Sequence, residues 1–260
     1  MPAERIRLIT RGDDCGAARS ANAAIRDAFH DGILRNASVM VPGPTIEEAA
    51  QLLARERGLC FGLHCTITAE WDRVRWGPVL PPARVPSLVD DGGRFFQTTR
   101  ALHERAPALS EVLAELAAQL DRARALGFEI SYADQHMGFG WVIPGLDEAF
   151  DAWCAREGLR NAAHYGRALP QAATAGDPVT TLLARLDAAV PGQHLIVTHP
   201  AYAGKEMCRL GHEGLPGERV SMDRDWDRRL LTDRRMLDYC QAHGVHPILY
   251  DEGEPIALRG

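Results

Sequence analysis

Short apolar segments of strand type alternate with longer segments of helical type along most of the chain. The strand-type segments are rich in β-branched and apolar residues, and they lie at residues 5–10, 36–41, 59–68, 129–134, 194–198 and 247–250. Helical patterns lie between them, at residues 21–30, 45–57, 110–126, 144–157 and 233–243. Such alternation is typical of βαβ units that build a parallel sheet. About seven units in 260 residues predict a single α/β domain shaped as a barrel or near-barrel, with a doubly wound open sheet as the alternative.

One long segment, residues 69–108, interrupts the alternation. It is rich in Trp, Pro, Gly and Arg, and it predicts an insertion over one face of a domain that spans residues 1–260. Because its aromatic residues need something to cover, we expect them to form a packed cover, with a sugar-stacking surface as the alternative. These residues are Trp71, Trp76, Phe95 and Phe96.

Two helix boundaries carry recognisable signals. Thr45, with Glu48 three residues later, predicts a capping box that opens a helix reaching about residue 57. Gly127 predicts the end of the clearest amphipathic helix, at residues 110–126.

Composition and charge exclude several classes of protein. The formal net charge is -6 and no long Lys/Arg run is present, which argues against nucleic-acid binding. No segment approaches the roughly 18 apolar residues of a membrane span, and the first residues lack a secretory signal. We therefore expect a cytoplasmic protein without a membrane partner. The six cysteines form no CxxC pair, and in a reducing compartment they are expected to be free core thiols.

Polar residues of metal-ligand or acid/base type follow four of the predicted strands. The first strand ends in Arg-Gly-Asp-Asp at residues 11–14, and the third carries His64. A later strand ends in Asp-Gln-His at residues 134–136, and the last of the four ends in Thr-His-Pro at residues 198–200. In a parallel barrel these ends meet at one rim. One carboxylate and two imidazoles form a common open metal site that leaves positions for water and substrate.

The adjacent Asp13 and Asp14 are the sharpest feature of this set. One of them could ligate the metal while the other accepts a proton from water, and His199 could supply the proton that a departing amine needs. Each element also has a structural explanation, such as an Asx turn for the aspartates or an ordinary strand exit before Pro200. Four such elements at four strand ends are much harder to explain structurally. His212, in a Gly-rich segment, is a further candidate for substrate contact.

The same residues resemble the motifs of the YdjC-like carbohydrate deacetylases (the ChbG/HpnK group), in order and spacing, over nearly the whole chain. The family's D-D-F-G corresponds to Asp-Asp-Cys-Gly at residues 13–16, and its G-x-H to residues 62–64. Its D-S-H-H-H-x-H begins at residues 134–136, and its H-P is at residues 199–200. An R-x-x-E-x-x-x-L-T-like segment follows. The residues that resemble it are Arg224, Asp227, Leu231 and Thr232.

The resemblance implies an irregular TIM-like (β/α) barrel, one divalent metal ion and hydrolysis of an N-acetyl group on an amino sugar or short oligosaccharide. It implies Asp14, His64 and His136 as metal ligands, Asp13 as general base and His199 as general acid. Zn²⁺ is the expected ion, and Mg²⁺, Mn²⁺, Co²⁺ and Ni²⁺ are alternatives. A homodimer is implied as well. The expected substrate-binding residues are Arg11, Asp134, Met137, Phe139, Tyr202 and Arg224.

The chain departs from the family pattern at two places. Met-Gly-Phe-Gly at residues 137–140 replaces the histidine cluster, which leaves the ligands in place and bears on the substrate. Arg11 adds a positive charge beside the two aspartates, where it lowers their pKa values, binds an anionic group of the substrate or forms a surface ion pair. Two other functions therefore stay open. One is a metal-dependent amidohydrolase or esterase that acts on a non-sugar substrate, and the other is a non-catalytic relative that binds metal or ligand.

Overall fold

The computed structural model describes residues 5–172 and 176–256, in which the chain forms eight strands and eight α-helices. The strands are β1 (Ile6–Cys15), β2 (Asn36–Val39), β3 (Cys60–Cys65), β4 (Ile130–Gln135), β5 (Arg160–Asn161), β6 (Arg167–Ala168), β7 (Gly192–Thr198) and β8 (Val245–Ile248). The helices are α1 (Arg19–His30), α2 (Ile46–Leu53), α3 (Thr99–Glu104), α4 (Leu109–Ala125), α5 (Leu146–Glu157), α6 (Pro178–Asp187), α7 (Gly217–Thr232) and α8 (Arg234–His243).

The strands form one parallel sheet in the order β5-β4-β3-β2-β1-β7-β6, with β8 paired to β1. The sheet curls into a half-barrel, which confirms the predicted irregular TIM-like fold. β1 lies at the centre of the sheet and pairs with β7 on one side. On its other side, the first half of β1 pairs with β8 and the second half pairs with β2. Its apolar residues Ile6, Leu8 and Ile9 are fully buried, as expected of a parallel strand covered on both faces.

The strongest patterns place their elements correctly. The amphipathic pattern at residues 110–126 corresponds to α4, and Gly127 follows it with a φ of +94°. The patterns did not predict α6 or α7. α7 was missed because charged residues occur all along it and its apolar stripe is narrow. Within the described ranges, no α-helix is both long and apolar enough to cross a bilayer.

The predicted capping box at Thr45 is wrong. The Thr45 hydroxyl donates to the carbonyl of Gly16 at 2.8 Å, and the Glu48 carboxylate accepts from the Asn22 amide. The Thr45 hydroxyl therefore bonds to the turn after β1 and the Glu48 carboxylate to α1, and α2 ends at Leu53 rather than near residue 57. Gly16 is required in this turn, because its φ is +107° and a Cβ atom would lie 2.8 Å from the carbonyl of Met40.

The segment at residues 69–108 contributes buried aromatic side chains to the core. Trp71, Trp76 and Phe95 are buried, and the Trp76 indole N–H donates to the carbonyl of Thr68 at 2.7 Å. Cysteine burial also agrees with the sequence, since five of the six free thiols are buried.

Candidate metal centre

Three buried side chains meet where β1, β3 and β4 end. Asp14 Oδ1 lies 3.4 Å from His64 Nε2 and 3.8 Å from His136 Nδ1, and the two ring nitrogens are 3.1 Å apart. All three atoms lie within 4.8 Å of one another, so one ion could bind all of them. The structure thus brings together the three residues that the sequence predicted as metal ligands.

An irregularity at the end of β1 places Asp13 and Asp14 in this site. On a regular strand neighbouring side chains point to opposite faces, but the register of β1 against β2 shifts between Gly12 and Cys15. Asp14 also has a φ of +63°, a left-handed conformation that costs about 1–2 kcal/mol outside glycine and that aspartate tolerates better than most residues. The shift lets both carboxylates line one cavity.

Two further carboxylates orient the histidine rings. Asp134 Oδ2 lies 2.6 Å from His64 Nδ1, and Glu70 Oε2 lies 2.9 Å from His136 Nε2. An ionised carboxylate can only accept, so each of these nitrogens carries the proton and the other nitrogen of each ring presents a lone pair. Asp14 Oδ1, beside those lone pairs, is buried and accepts no hydrogen bond. When both rings are neutral, Asp14 Oδ1, His64 Nε2 and His136 Nδ1 can all offer lone pairs to one divalent cation.

The charge around the centre also favours a cation. Burial opposes the charged form of His64, but Asp134 and Asp13 outweigh burial and raise the pKa of His64 well above its ordinary value. Burial likewise opposes ionisation of Asp14, yet Arg224 and the neighbouring histidines hold the pKa of Asp14 well below its usual range. Asp14 therefore stays ionised and attracts positive charge, and a cation that binds here would displace a proton from His64.

Arg11 is not the surface ion pair that the sequence allowed. Its guanidinium is buried and donates to Asp13 through Nε at 2.7 Å and through Nη2 at 2.9 Å. The same Nη2 lies 3.4 Å from Asp134 Oδ2, and Nη1 donates to the Tyr250 hydroxyl at 3.3 Å. Burial raises the pKa of Asp134, but Arg11 and His64 outweigh it and lower that pKa to about 2. Arg11 and Asp134 thus lie behind the ligands rather than in the wall of the cavity.

His199, after β7, faces the ligands from the other side of the cavity. Its backbone N–H donates to Asp227 Oδ2 at 2.7 Å, and its ring Nδ1 is 4.0 Å from the same oxygen. Arg224, one turn earlier on α7, places Nη1 2.9 Å from Asp14 Oδ2. The exposed part of the His199 ring faces the cavity, which is lined by protein atoms. Burial and Arg224 together outweigh the nearby carboxylates and lower the pKa of His199.

A cavity of about 310 Å³ opens above these groups. Of the predicted substrate-binding residues, Met137 lines this cavity, whereas Phe139 is fully buried against Phe150. Tyr202 lies elsewhere, with its hydroxyl on Asp27 and Arg228 over its ring. The lining residues are Asp13, Asp14, His64, Glu70, Trp71, Gln135, His136, Met137, His199, His212 and Arg224.

Sequence reasoning missed Glu70 and Gln135 as lining residues. Glu70 lies in the irregular segment after β3, where no periodicity marks which side chains face inward. Trp71 is both part of the cover and part of the cavity wall, and it stacks on His212 with ring centroids 5.9 Å apart.

Comparison with known proteins gives a family. The model of the family described as YdjC-like protein matches residues 7–242. The chain belongs to the YdjC-like family. A carbohydrate deacetylase from Thermoanaerobacter pseudethanolicus is 23% identical to this YdjC-like protein, over 92% of this chain and 95% of the relative.

Two other relatives match this YdjC-like protein over a shorter region. A carbohydrate deacetylase from Mus musculus is 32% identical over 62% of this chain and 51% of the relative. One from Geobacillus stearothermophilus is 31% identical over 49% and 48%. These matches thus span about half the length of each relative.

A solved structure shares the fold of this YdjC-like protein. A protein from Enterococcus faecalis V583, described as a cellobiose-phosphate cleavage protein, superposes with a TM-score of 0.77 at 21% identity. The match covers 96% of this chain and 98% of that one. At this identity the likeness concerns the fold alone.

Proposed function

We propose that this protein is a metal-dependent deacetylase that hydrolyses the N-acetyl group of an amino sugar or short oligosaccharide. The observation that carries the proposal is the convergence of Asp14, His64 and His136 at the floor of a cavity that His199 also lines. The name carbohydrate deacetylase, borne by a relative that matches nearly the full length, supports the sugar amide as substrate.

Asp14, His64 and His136 would hold the ion. When bound, a divalent cation supplies Lewis-acid polarisation of the amide carbonyl and lowers the pKa of water to about 7. One carboxylate and two imidazoles suit Zn²⁺, and they also accept Mn²⁺, Co²⁺, Ni²⁺ or Mg²⁺. Asp134 and Glu70 would keep both rings oriented towards the ion.

Two residues of the cavity wall would move the protons. Asp13 would accept the proton of the attacking water, and its bidentate pair with Arg11 holds the carboxylate in one orientation. His199 would donate a proton to the nitrogen of the departing amine as the carbon–nitrogen bond breaks. The products are acetate and the free amino sugar.

Metal content tests the ligand assignment. We expect about one equivalent of metal in the wild-type protein purified without chelator, and we expect His64→Ala and His136→Ala each to lose it. Elemental mass spectrometry measures this directly. Acetate release from N-acetylglucosamine, diacetylchitobiose and further N-acyl sugars tests the reaction on the same samples. Full metal content in both histidine variants would refute the ligand set.

Leaving-group chemistry separates the two proton-transfer roles. A general acid is needed for an amine but not for a phenolate, which departs without a proton. We therefore expect His199→Ala to lose far more activity on an N-acetyl sugar than on 4-nitrophenyl acetate. Asp13→Asn should lose activity on both while it keeps its metal. Equal losses for His199→Ala on both substrates would assign His199 to the attack step instead.

One observation favours a second candidate, hydrolysis of a non-sugar amide or ester. Met137, which stands where the family has a histidine, lines the cavity with a side chain that is 43% exposed. An apolar wall at this position suits a less polar substrate. A panel of acyl esters and small amides, assayed beside the N-acetyl sugars, separates the two candidates. Stoichiometric metal without hydrolysis across the panel would indicate a binding protein.

A further inference from the structure

A small apolar cleft opens off the metal cavity beside Asp14. Its mouth consists of four polar residues that also line the main cavity, Asp13, Asp14, His199 and Arg224. Its volume is about 10 Å³. Its walls carry apolar side chains only, from the turn after β1, from α1 and from the segment after β7. They are Ala17, Ala21, Pro200, Ala201, Met207 and Leu210.

The size and lining of the cleft suit one methyl group. A volume of about 10 Å³ is about that of one water-sized probe, and a methyl group is similar in size. Six of the ten lining residues are apolar and the four polar ones all lie at the mouth, so a water molecule inside would have polar partners on one side only. An apolar group is therefore the better occupant, and a chain one carbon longer does not fit without movement of the walls.

Hydrogen bonds hold the walls together. The Glu206 carboxylate accepts from the backbone N–H groups of Arg19 at 3.1 Å and Ser20 at 2.9 Å, which ties the segment before Met207 to the start of α1. The N–H of Tyr202 donates to the carbonyl of Ser20 at 3.2 Å. Because both sides of the cleft are anchored to the same helix end, widening it would break several of these bonds.

We propose that this cleft binds the methyl of the scissile acetyl group and restricts the enzyme to acetyl and formyl amides. The inference rests on the proposed deacetylation. A methyl group is one bond from the carbonyl carbon. Occupation of the cleft therefore leaves the carbonyl at the mouth, beside Asp13, Asp14 and His199. Leu210 and Met207 are thus specificity-determining residues, and they set the length of the acyl chain.

A series of acyl groups on one amino sugar tests the cleft. The metal-loaded full-length protein would be assayed on N-formyl, N-acetyl, N-propionyl and N-butyryl glucosamine. One excess methylene in a close-fitting apolar pocket costs about 10-fold or more in kcat/KM. We expect propionyl to be at least about 10-fold poorer than acetyl, and butyryl poorer still. Equal rates for the acetyl and butyryl substrates would overturn the assignment of the cleft while leaving the proposed function intact. Hydrolysis of none of the four substrates would overturn both.

Truncation of the cleft wall should widen the specificity. Leu210→Ala is expected to raise the propionyl-to-acetyl ratio of kcat/KM by about 10-fold. Leu182→Ala, an equally buried leucine on α6 outside the cleft, is the matched control and should leave the ratio unchanged. The same change in both variants would contradict the assignment. Met207→Ala repeats the test if Leu210→Ala does not fold.

Filling the cleft should have the opposite effect. Ala21→Val adds two methyl groups to the α1 wall, so we expect it to lose acetyl hydrolysis by about 10-fold or more while it keeps formyl hydrolysis. Its metal content, measured in parallel, should match that of the wild type. Equal losses on formyl and acetyl substrates at full metal content would overturn the proposal, because the substitution would then act on catalysis rather than on the acyl group.

Discussion

Glu70 contacts the candidate metal centre through a single hydrogen bond with His136 Nε2. Carboxylates that orient a ligating histidine in this way are worth 10–100-fold in metal affinity. We therefore expect Glu70→Ala to weaken metal binding by about 10–100-fold, as measured by competition with a chelator. Glu104→Ala, an exposed glutamate paired with Arg100, is the control and should bind metal as the wild type does. An unchanged metal affinity in Glu70→Ala would show that the His136 ring needs no carboxylate partner to bind metal.

Arg11 is the cation between two buried carboxylates, Asp13 and Asp134. Removal of one member of a buried charge pair costs about 3–5 kcal/mol, because the remaining charge loses its partner. We expect Arg11→Met to lower the free energy of unfolding by that order, measured by urea titration in the presence of chelator. Arg234→Met, at an exposed pair with Asp238, should change it by less than about 1 kcal/mol. A loss no larger than this control's would contradict the role of Arg11.

The residues of the site were predictable where strand periodicity placed them. Asp14 and His64 lie at the ends of β1 and β3 and His136 directly follows β4, so the barrel prediction alone brings them to one rim. Glu70 was not predictable, because the segment that carries it has no regular structure. The role of Arg11 was not predictable either, since its partners Asp134, on β4, and Tyr250, just after β8, are distant in sequence.

At the scale of single elements, α4 holds the cover segment through buried polar side chains. Glu115 accepts from the backbone N–H groups of Val79 at 2.8 Å and Leu80 at 3.1 Å, and Gln119 pairs with both backbone groups of Thr66. Burial raises the pKa of Glu115, outweighing the hydrogen bonds that favour its ionised form. The cover is thus attached to α4 by a carboxylate that is costly to ionise.

This attachment makes a prediction about pH. A raised pKa in the folded state gives a stability contribution that is complete below the ordinary glutamate pKa of about 4.3. That contribution is lost as pH rises through the raised pKa of Glu115. Glu115→Gln does not titrate, so the wild type should lose stability relative to this variant as the pH rises above about 4.3. Urea unfolding at a series of pH values measures the difference, and a pH-independent difference would rule out titration of Glu115.

Helix α7 shows what a pattern could not reveal. Its sequence carries charged residues on every face, yet it brings Arg224 to Asp14 and Asp227 to His199. Its helical structure depends on packing against α1 and the segment after β7, which local periodicity does not encode. The capping box predicted at Thr45 is wrong for the same reason. The Thr45 hydroxyl donates to the carbonyl of Gly16, which is far from it in sequence but adjacent in space.

At the scale of the whole molecule, the alternation of strands and helices predicted the curled parallel sheet. It did not predict β5 and β6, because strands of two residues carry no pattern. These two short strands end the sheet on either side, and within the described ranges no pairing joins them. The central strand β1 pairs with three others, so the site's two aspartates belong to the most extensively paired strand.

Metal binding should stabilise the whole fold. An ion that binds only the folded protein adds about 2.7 kcal/mol at a concentration 100 times its Kd. We expect added Zn²⁺ or Mn²⁺ to raise the Tm of the wild type and to leave that of His136→Ala nearly unchanged, as differential scanning calorimetry would show. Mg²⁺ at high concentration distinguishes general ionic effects from site binding. An equal rise in both proteins would mean that the ion binds elsewhere.

The buried guanidinium of Arg11 has a consequence for how the protein matures. A cluster of carboxylates that needed an ion to balance its charge would keep a newly synthesised chain from folding completely until the ion bound. Here the chain supplies a permanent positive charge of its own to Asp13 and Asp134, so the barrel can complete its folding empty. Under the proposed function, metal binding would then be a separate, later event, and the bound ion would reflect the supply at that moment rather than at synthesis.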